Sequence, residues 1–366
     1  MSGIRVATRT HRCKKSCAVI IAFCVLSWTI LPVYAERQAP SVPVKAKSSK
    51  PAPPKPLVFV PGSWTLVLLP DIQNYSTRYP GLTLLQTSWV LQNQRKNNIQ
   101  FVLQLGDVTN YDSPCEWRRA RDSFALLNGK VPYAIVEGNH DHYLPAKKHV
   151  PEDIYETPSY KETGMDHFFP VSSWQGLPSF GGVMEKGRVE NSYHLFSAGG
   201  CDWLVLVLEW APRDEVVAWA NSICDKYPTR KAILATHAYL YSDSTRYDFA
   251  TKGKSQEWNP HSYPTSGSVN DGEELWHKLI KKHNFVFTFN GHVCHNGTGF
   301  LSSKNDLGKT THQMLVNYQT RPLGGEGYLR LVEILPDGKT VHIRSYSPLF
   351  DKFLTEPDQQ FVFTLK

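Results

Sequence analysis

Val136-Glu137-Gly138-Asn139-His140-Asp141-His142-Tyr143, read VEGNHDHY, follows directly on the apolar run Tyr133–Val136. An apolar strand that ends in Gly-Asn-His-Asp delivers an amide oxygen, an imidazole and a carboxylate together at its C-terminal edge, where open α/β sheets place their ligands. The design recurs upstream: Asp71 and Gln73 follow the run Thr65–Leu69 in TLVLLPDIQNY, and Asp107 follows Phe101–Leu105 in QFVLQLGDVTNY. Downstream, His237 follows Lys231–Ala235 in KAILATHAY, and His292 and Cys294 follow Phe285–Phe289 in NFVFTFNGHVCHNG. One Asp or His at a strand end is ordinarily a cap or a surface polar group, but five such ends in order, each behind an apolar run, read as a metal site. Carboxylate oxygen, amide oxygen and imidazole nitrogen together suit Zn, Mn or Fe better than an all-oxygen cage for Ca.

The segments between these runs are helical in pattern. Apolar residues at 82, 84, 85, 89, 90 and 91 predict a helix over 82–96, and Ser113-Pro114 predicts a capped start to one ending near Leu127. Further helices are expected over Pro212–Tyr227 and Glu273–His283. Strand–helix alternation of this kind predicts a mainly parallel sheet. Ser192–Ser197 and Trp203–Leu208 read as a hairpin turned at Ala198-Gly199-Gly200. In the tail, HQMLVNYQ, GYLRLVEIL, KTVHIRSYS and QQFVFTL alternate with period two, with Pro336-Asp337-Gly338 as a turn, and predict an antiparallel second sheet packed on the first. Two stretches lack a period. His142–Glu190 reads as a site-shaping insertion, and Tyr239–Val269 carries Trp258, His261 and Tyr263, which either line a cleft wall or pack a long loop.

DIQ, GDVTN, GNHD, the isolated TH and GHVC stand in the order Asp-x-His/Gln, Gly-Asp, Gly-Asn-His-Asp/Glu, His, Gly-His-x-His. That order resembles the calcineurin-like metallophosphoesterases, over about Trp64–Cys294 with a β-rich tail also like the family's. The resemblance implies an α/β fold, a two-sheet αββα sandwich of the metallophosphoesterase type. It implies metal-dependent hydrolysis of a phosphate ester, monoester or diester, by a hydroxide held between two divalent metals (Zn, Mn or Fe). Asp107 would bridge the metals, Asn139, His237 and His292 would complete the second position, and His140 would be general acid. Asp141 would either orient His140 or form a structural salt bridge. The first position, Asp71, Gln73, Asp107 and Cys294, departs from the pattern, with Gln73 for the commoner His and Cys294 for the last His. Cys294 is either a thiolate ligand or a buried thiol that leaves this position weak, with His295 as a fallback. Arg78, Arg246, His261 and Arg321 are candidates for gripping phosphate, Arg321 and His261 foremost. The competing reading is a degenerate, non-catalytic, metal-dependent surface binding module.

The chain has 366 residues, 41% hydrophobic and 20% charged, enough for a large core, and no internal period. Residues 1–35 hold Arg5, Arg9, Arg12, Lys14 and Lys15, an apolar run Cys17–Leu31 and a Val33-Tyr34-Ala35 exit, which fits a secretory signal peptide; an uncleaved membrane anchor is the alternative. Residues 36–57 are a Pro/Lys-rich linker, an extended spacer, and residues 58–366 are the catalytic domain. An exported protein, periplasmic, cell-surface or secreted, is expected. The leader takes five charges from the net +7 and the spacer a further four, so the domain stands at −2, without the footprint of a nucleic-acid binder. Membrane contact is expected only through an uncleaved N-terminal segment. Cys115, Cys201, Cys224 and Cys294 remain after cleavage and permit three disulfide connectivities, with a Cys201–Cys224 link among them.

Overall fold

Leu66, Val67, Leu68 and Leu69 are all fully buried, which a strand achieves only when both of its faces are covered. Successive side chains alternate between faces. Leu66 and Leu68 accordingly pack inward with Phe101, Leu103, Val205, Ile233 and Phe287, while Val67 and Leu69 pack outward with Val102, Val90, Trp117 and Phe124. Four layers follow from this alternation: two sheets sharing an inner core, each with helices on its outer face. The computed structural model describes residues 54–142, 163–263 and 267–365. The expected leader and most of the spacer lie outside the described residues.

In chain order the elements begin with β1 (Trp64–Leu69), α1 (Gln73–Arg78), α2 (Pro80–Asn93), β2 (Ile99–Gln104), α3 (Pro114–Phe124) and β3 (Tyr133–Ile135). Next come α4 (Met165–Phe168), β4 (Phe180–Val183), β5 (Ser192–Ala198), β6 (Cys201–Val207), α5 (Asp214–Lys226), β7 (Lys231–Ala235), α6 (Phe249–Lys252), α7 (Gly272–Lys278) and β8 (Phe285–Asn290). The chain continues through β9 (Thr298–Lys304), β10 (Thr310–Val316), β11 (Leu329–Ile334), β12 (Thr340–Ser347), β13 (Lys352–Leu354) and β14 (Phe361–Thr364). Ser113 caps α3 with a reciprocal bond from Glu116, as its sequence predicts. Gly199 and Gly200 turn the β5–β6 hairpin at φ of 58° and 71°.

Among the described residues the strands make two seven-stranded sheets, one in the order β13-β12-β11-β1-β2-β3 with β14 on β12, the other β4-β5-β6-β7-β8-β10-β9. This corrects two expectations. The five ligand-bearing strands are divided, β1, β2 and β3 in one sheet and β7 and β8 in the other. The tail is divided as well: β11 and β12 extend the first sheet antiparallel to β1, whereas β10 joins the second parallel to β8. Alternation within a strand fixes which side chains face the core but carries no record of which neighbour it pairs with.

The described part of the 142–190 stretch is also more structural than expected. Met165, Phe169, Val171, Trp174 and Val189 are buried in the outer core with Trp117, Phe124 and Tyr133, and Trp174 Nε1 donates to Tyr133 O at 3.0 Å. Cys201 and Cys224 are free thiols, not a disulfide. Cys201 packs toward the core between the sheets and Cys224 toward the outer core, so the sheet itself separates them.

His194 is buried beside the rings of Phe101 and Phe180, with centroids 5.5 and 5.7 Å away, and burial lowers its pKa to about 3. Above its ordinary value of 6.5 both folded and unfolded chains keep it neutral; below it, only the unfolded chain takes up the proton. Stability should therefore fall toward acid, by about 1.4 kcal/mol per pH unit from this group. Urea unfolding from pH 7 to pH 4 should show a shallower decline in His194→Leu than in the parent. Equal slopes would assign the acid limb to other groups.

Candidate metal centre

At the C-terminal ends of the parallel strands, the loops of both sheets are tied together through buried carboxylates that accept backbone amides. Asp71 accepts His292 N at 3.0 and 3.2 Å through its two oxygens. Asp107 accepts His140 N at 2.9 Å on Oδ1 and Gln73 Nε2 at 2.9 Å on Oδ2. Asp141 accepts Val108 N at 3.1 Å, Thr109 N at 2.7 Å and Gly138 N at 2.9 Å, with the Thr109 hydroxyl at 2.9 Å. These ties hold Asp71, Asp107 and His292 at φ of 26°, 51° and 71°, a region that costs a non-glycine residue roughly 1–2 kcal/mol. Space is as tight as conformation: a Cβ on Gly138 would stand 2.3 Å from Asp107 Oδ1, and one on Gly291 2.1 Å from Asp71 Oδ2.

The imidazoles are set by carbonyls, which can only accept. His237 Nδ1 donates to Leu105 O at 2.8 Å, turning Nε2 to Asp107 Oδ1 at 3.2 Å without hydrogen-bond alignment. Burial opposes a charge on this ring, Asp107 and Asp71 favour one, and the balance stands at about 9. His292 Nε2 donates to Trp258 O at 2.8 Å; burial, and then the nearby His237, push its pKa down to about 3, so Nδ1 keeps its lone pair. Burial raises Asp71 well above the usual carboxylate range. Burial and then Asp107 raise Asp141 to about 7. Negative charge in this pocket exceeds what its own cations neutralise.

Ligand atoms of Asp71, Asp107 and His237 all lie within 4.8 Å of one another. Asn139 Oδ1, His237 Nε2 and Gln73 Oε1 are buried without hydrogen-bond partners. Orphaned donors beside excess carboxylate charge are what a divalent cation satisfies, so the residues fit a metal. His261, Asp271 and Glu274 form a second compact group, but Asp271 and Glu274 make the capping box of α7 and His261 Nε2 bonds Glu274 at 2.7 Å. That group is a helix cap.

The remaining sequence candidates divide. His140 is at the centre, its Nδ1 donating to Asn110 O at 3.2 Å. The Asp141 carboxylate accepts backbone amides of two loops and so clamps the GDVTN loop to the GNHD turn. Cys294 lies outside the Asp71–Asp107–His237 group, its thiol pushed up to about 12 by burial and then by the Asp71 and Asp107 charges. His295 faces away, bonded to Tyr241 Oη at 2.9 Å and packed on Trp258. Arg321 pairs with Glu326 at 2.7 Å, Arg246 with Glu273 at 2.7 Å and His261 with Glu274, so each has its carboxylate within the protein; Arg78 is exposed at the end of α1. Of the 239–269 loop, Trp258 reaches the centre through its carbonyl and Tyr263 through its ring, 6.2 Å from His292.

Three features escaped the sequence reading. Trp210, beyond the end of β6, packs on His237 and His292 at 5.7 and 4.9 Å and walls the centre. Gln319, beyond β10, meets Gln73 and Asp71. Glu137 Oε2 lies 3.3 Å from His142 Nε2 and accepts Trp210 N at 3.3 Å, bracing the GNHD turn from both sides and linking it to the second sheet. For Trp210 and Gln319 the signal was the one used elsewhere, an apolar run with a polar or aromatic group just past its end.

The fold is the two-sheet αββα sandwich of the metallophosphoesterase type. The chain matches the calcineurin-like phosphoesterase family over residues 82–296 and belongs to that family, whose chemistry is metal-dependent phosphoester hydrolysis. Asp71 and Gln73 precede the matched region, so their place in the site rests on the structure. An uncharacterized protein of Bacillus subtilis (strain 168), YvnB, is 29% identical over 293 residues, 78% of this chain and 20% of that protein. The chain thus spans about a fifth of the length of this curated relative. Among solved structures, a purple acid phosphatase from yellow lupin (Lupinus luteus) seeds is similar at a TM-score of 0.48 and 14% identity, covering 86% of this chain and 55% of that one. A 5'-nucleotidase precursor from Thermus thermophilus gives a TM-score of 0.40 at 13% identity, covering 82% and 55% respectively.

Removing the Asp141 carboxylate strands three buried amides, so Asp141→Ala should lower the unfolding free energy by roughly 3 kcal/mol. His140→Ala, at a half-buried ring, should cost less than about 1 kcal/mol. Urea titrations of the two variants test this; comparable losses would refute the clamp.

Proposed function

We propose that the protein hydrolyses a phosphate ester at this centre, with His140 as general acid. The observation that carries the reading is the pair of orphaned donors, Asn139 Oδ1 and His237 Nε2, in loops that close on the Asp107 carboxylate. Asp107, Asn139, His237 and His292 would hold one divalent cation, and Asp107 would share its carboxylate with a second held by Asp71 and Gln73. When bound, the cations would supply Lewis acidity toward the phosphoryl oxygens and toward a water.

The protein's own part is positioning and proton transfer. His140 Nδ1 keeps its proton on the Asn110 carbonyl, so the proton available for transfer is the one on Nε2 of the imidazolium. As the bond from phosphorus to the leaving oxygen breaks, that proton passes to the oxygen and the ring is left as the neutral Nδ1–H tautomer. Asp107 Oδ1 accepts His140 N at 2.9 Å and so fixes the backbone that carries the ring. Trp210, edge-on to His237 and tilted against His292, would shield the ligand side from bulk water.

Chelator-treated protein should be inert on aryl phosphate monoesters and diesters, and Mn2+ or Zn2+ should restore turnover. Asn139→Ala should lose metal and turnover together. His140→Ala should keep its metal and lose about 10²–10⁴ in kcat. Loss of metal from the His140 variant would remove its assignment as acid, and bound metal without turnover on any ester would favour the binding-module reading. Export is part of the proposal, supported by the basic, apolar and Val33-Tyr34-Ala35 segments in order. Protein from a secreting host should begin near Glu36 on N-terminal sequencing; a chain intact from Met1 and sedimenting with membranes would overturn cleavage.

A further inference from the structure

The loop after β10 is built to place one side chain. Because β10 pairs parallel with β8, its C-terminal end opens at the same edge as His292. Asn317 N donates to Gly297 O at 2.8 Å, and a Cβ on Gly297 would stand 2.0 Å from Asn317 O. Gln319 N donates to Asn317 Oδ1 at 2.9 Å, and Gln319 O accepts Asn74 Nδ2 at 3.3 Å. Further along, Gly324 and Gly325 lie against α1, where added Cβ atoms would meet Asn74 Cβ at 2.5 Å and Tyr75 Oη at 2.2 Å. Locked between β9 and α1, the loop sets Gln319 Oε1 at 2.5 Å from Gln73 Nε2 and Gln319 Nε2 at 3.4 Å from Asp71 Oδ1. Gln73 is 2% exposed, and its Oε1 has no partner. A half-turn of a terminal amide torsion exchanges oxygen and nitrogen, so each of these two amides can present its carbonyl to the carboxylates.

We infer that Gln319 completes the first cation position with Asp71, Gln73 and Asp107, making that position all-oxygen. Two carboxylates and two amide carbonyls form a hard ligand set suited to Mn2+ or Mg2+, whereas the second position, with two imidazoles, favours Zn2+ or Fe2+. Cys294 is not a member of the Asp71–Asp107–His237 group, and the position as assigned needs no thiolate. The two positions therefore differ in which metal they select, and Gln319 stands in for the last histidine of the family's pattern. This inference rests on the reading of the centre as a metal site.

Calorimetric titration of chelator-treated protein with Zn2+ and then Mn2+, with bound metal counted after dialysis, tests it without reference to turnover. The parent should take one tight Zn2+ and a second, weaker Mn2+. Gln319→Leu should weaken the Mn2+ equivalent about tenfold or more and leave the Zn2+ equivalent unchanged, while Gln319→Glu, which keeps an oxygen and adds charge, should bind Mn2+ more tightly than the parent. Unchanged Mn2+ affinity in both variants overturns the role of Gln319, as does loss of both equivalents in Gln319→Leu. A parent that binds neither metal would overturn the metal-site reading itself, a result distinct from failure of the Gln319 assignment. Should Gln319→Leu not fold, the Gln319→Glu arm decides alone.

Discussion

The Asp107 carboxylate is the point on which the centre depends. It accepts Gln73 from α1 and His140 N from the GNHD turn, and it faces His237 from the second sheet at 3.2 Å. It is 1% exposed, so water contributes nothing to balancing its charge. A buried carboxylate in that state stabilises whatever brings positive charge or hydrogen-bond donors toward it. The loops from both sheets converge for that reason, and the remaining polar atoms of the pocket are left arranged for a cation.

Convergence carries strain, and the surrounding structure bears it. Asp71, Asp107 and His292 occupy left-handed backbone conformations, and glycines 138 and 291 approach carboxylate oxygens too closely for any side chain. Conformations of this cost persist when neighbouring contacts over-determine them. The Asp141 clamp, the Glu137–His142 brace and the inner core of Leu66, Leu68, Phe101, Val205, Ile233 and Phe287 supply those contacts. Packing and site are therefore coupled: the layers position the strand ends, and the amide–carboxylate ties between strand ends hold the layers in register at one edge.

In the centre as proposed, the two cation positions would differ in donor chemistry. The second would use imidazoles, whose outer nitrogens are fixed by the Leu105 and Trp258 carbonyls, which sets the tautomer and orientation of each ring. The first would use carboxylates and amides, set by the Gln73–Gln319 contact and the loop that locks it.

Much of this was legible in the sequence. Strand ends β1, β2, β3, β7 and β8 were each marked by an apolar run followed by Asp, Asn, Gln or His, α2 by its apolar spacing and α3 by its Ser113-Pro114 cap. These are local properties, fixed by side-chain alternation and by which groups tolerate burial. Sheet membership was not local: β10 and β11 carry the same alternation yet enter different sheets, and Cys201 and Cys224 are near in sequence but lie on opposite faces of one sheet. The sequence offered Asp141 as a partner for His140 or for a salt bridge, and gave no sign that the fold would bring the amides of Val108, Thr109 and Gly138 to its oxygens. The sequence by itself determined which residues could hold a metal, because ligand chemistry resides in single side chains. Only the tertiary structure decided which of them meet and that Trp210 and Gln319 lie against them, because contacts between distant segments are set by packing across two sheets.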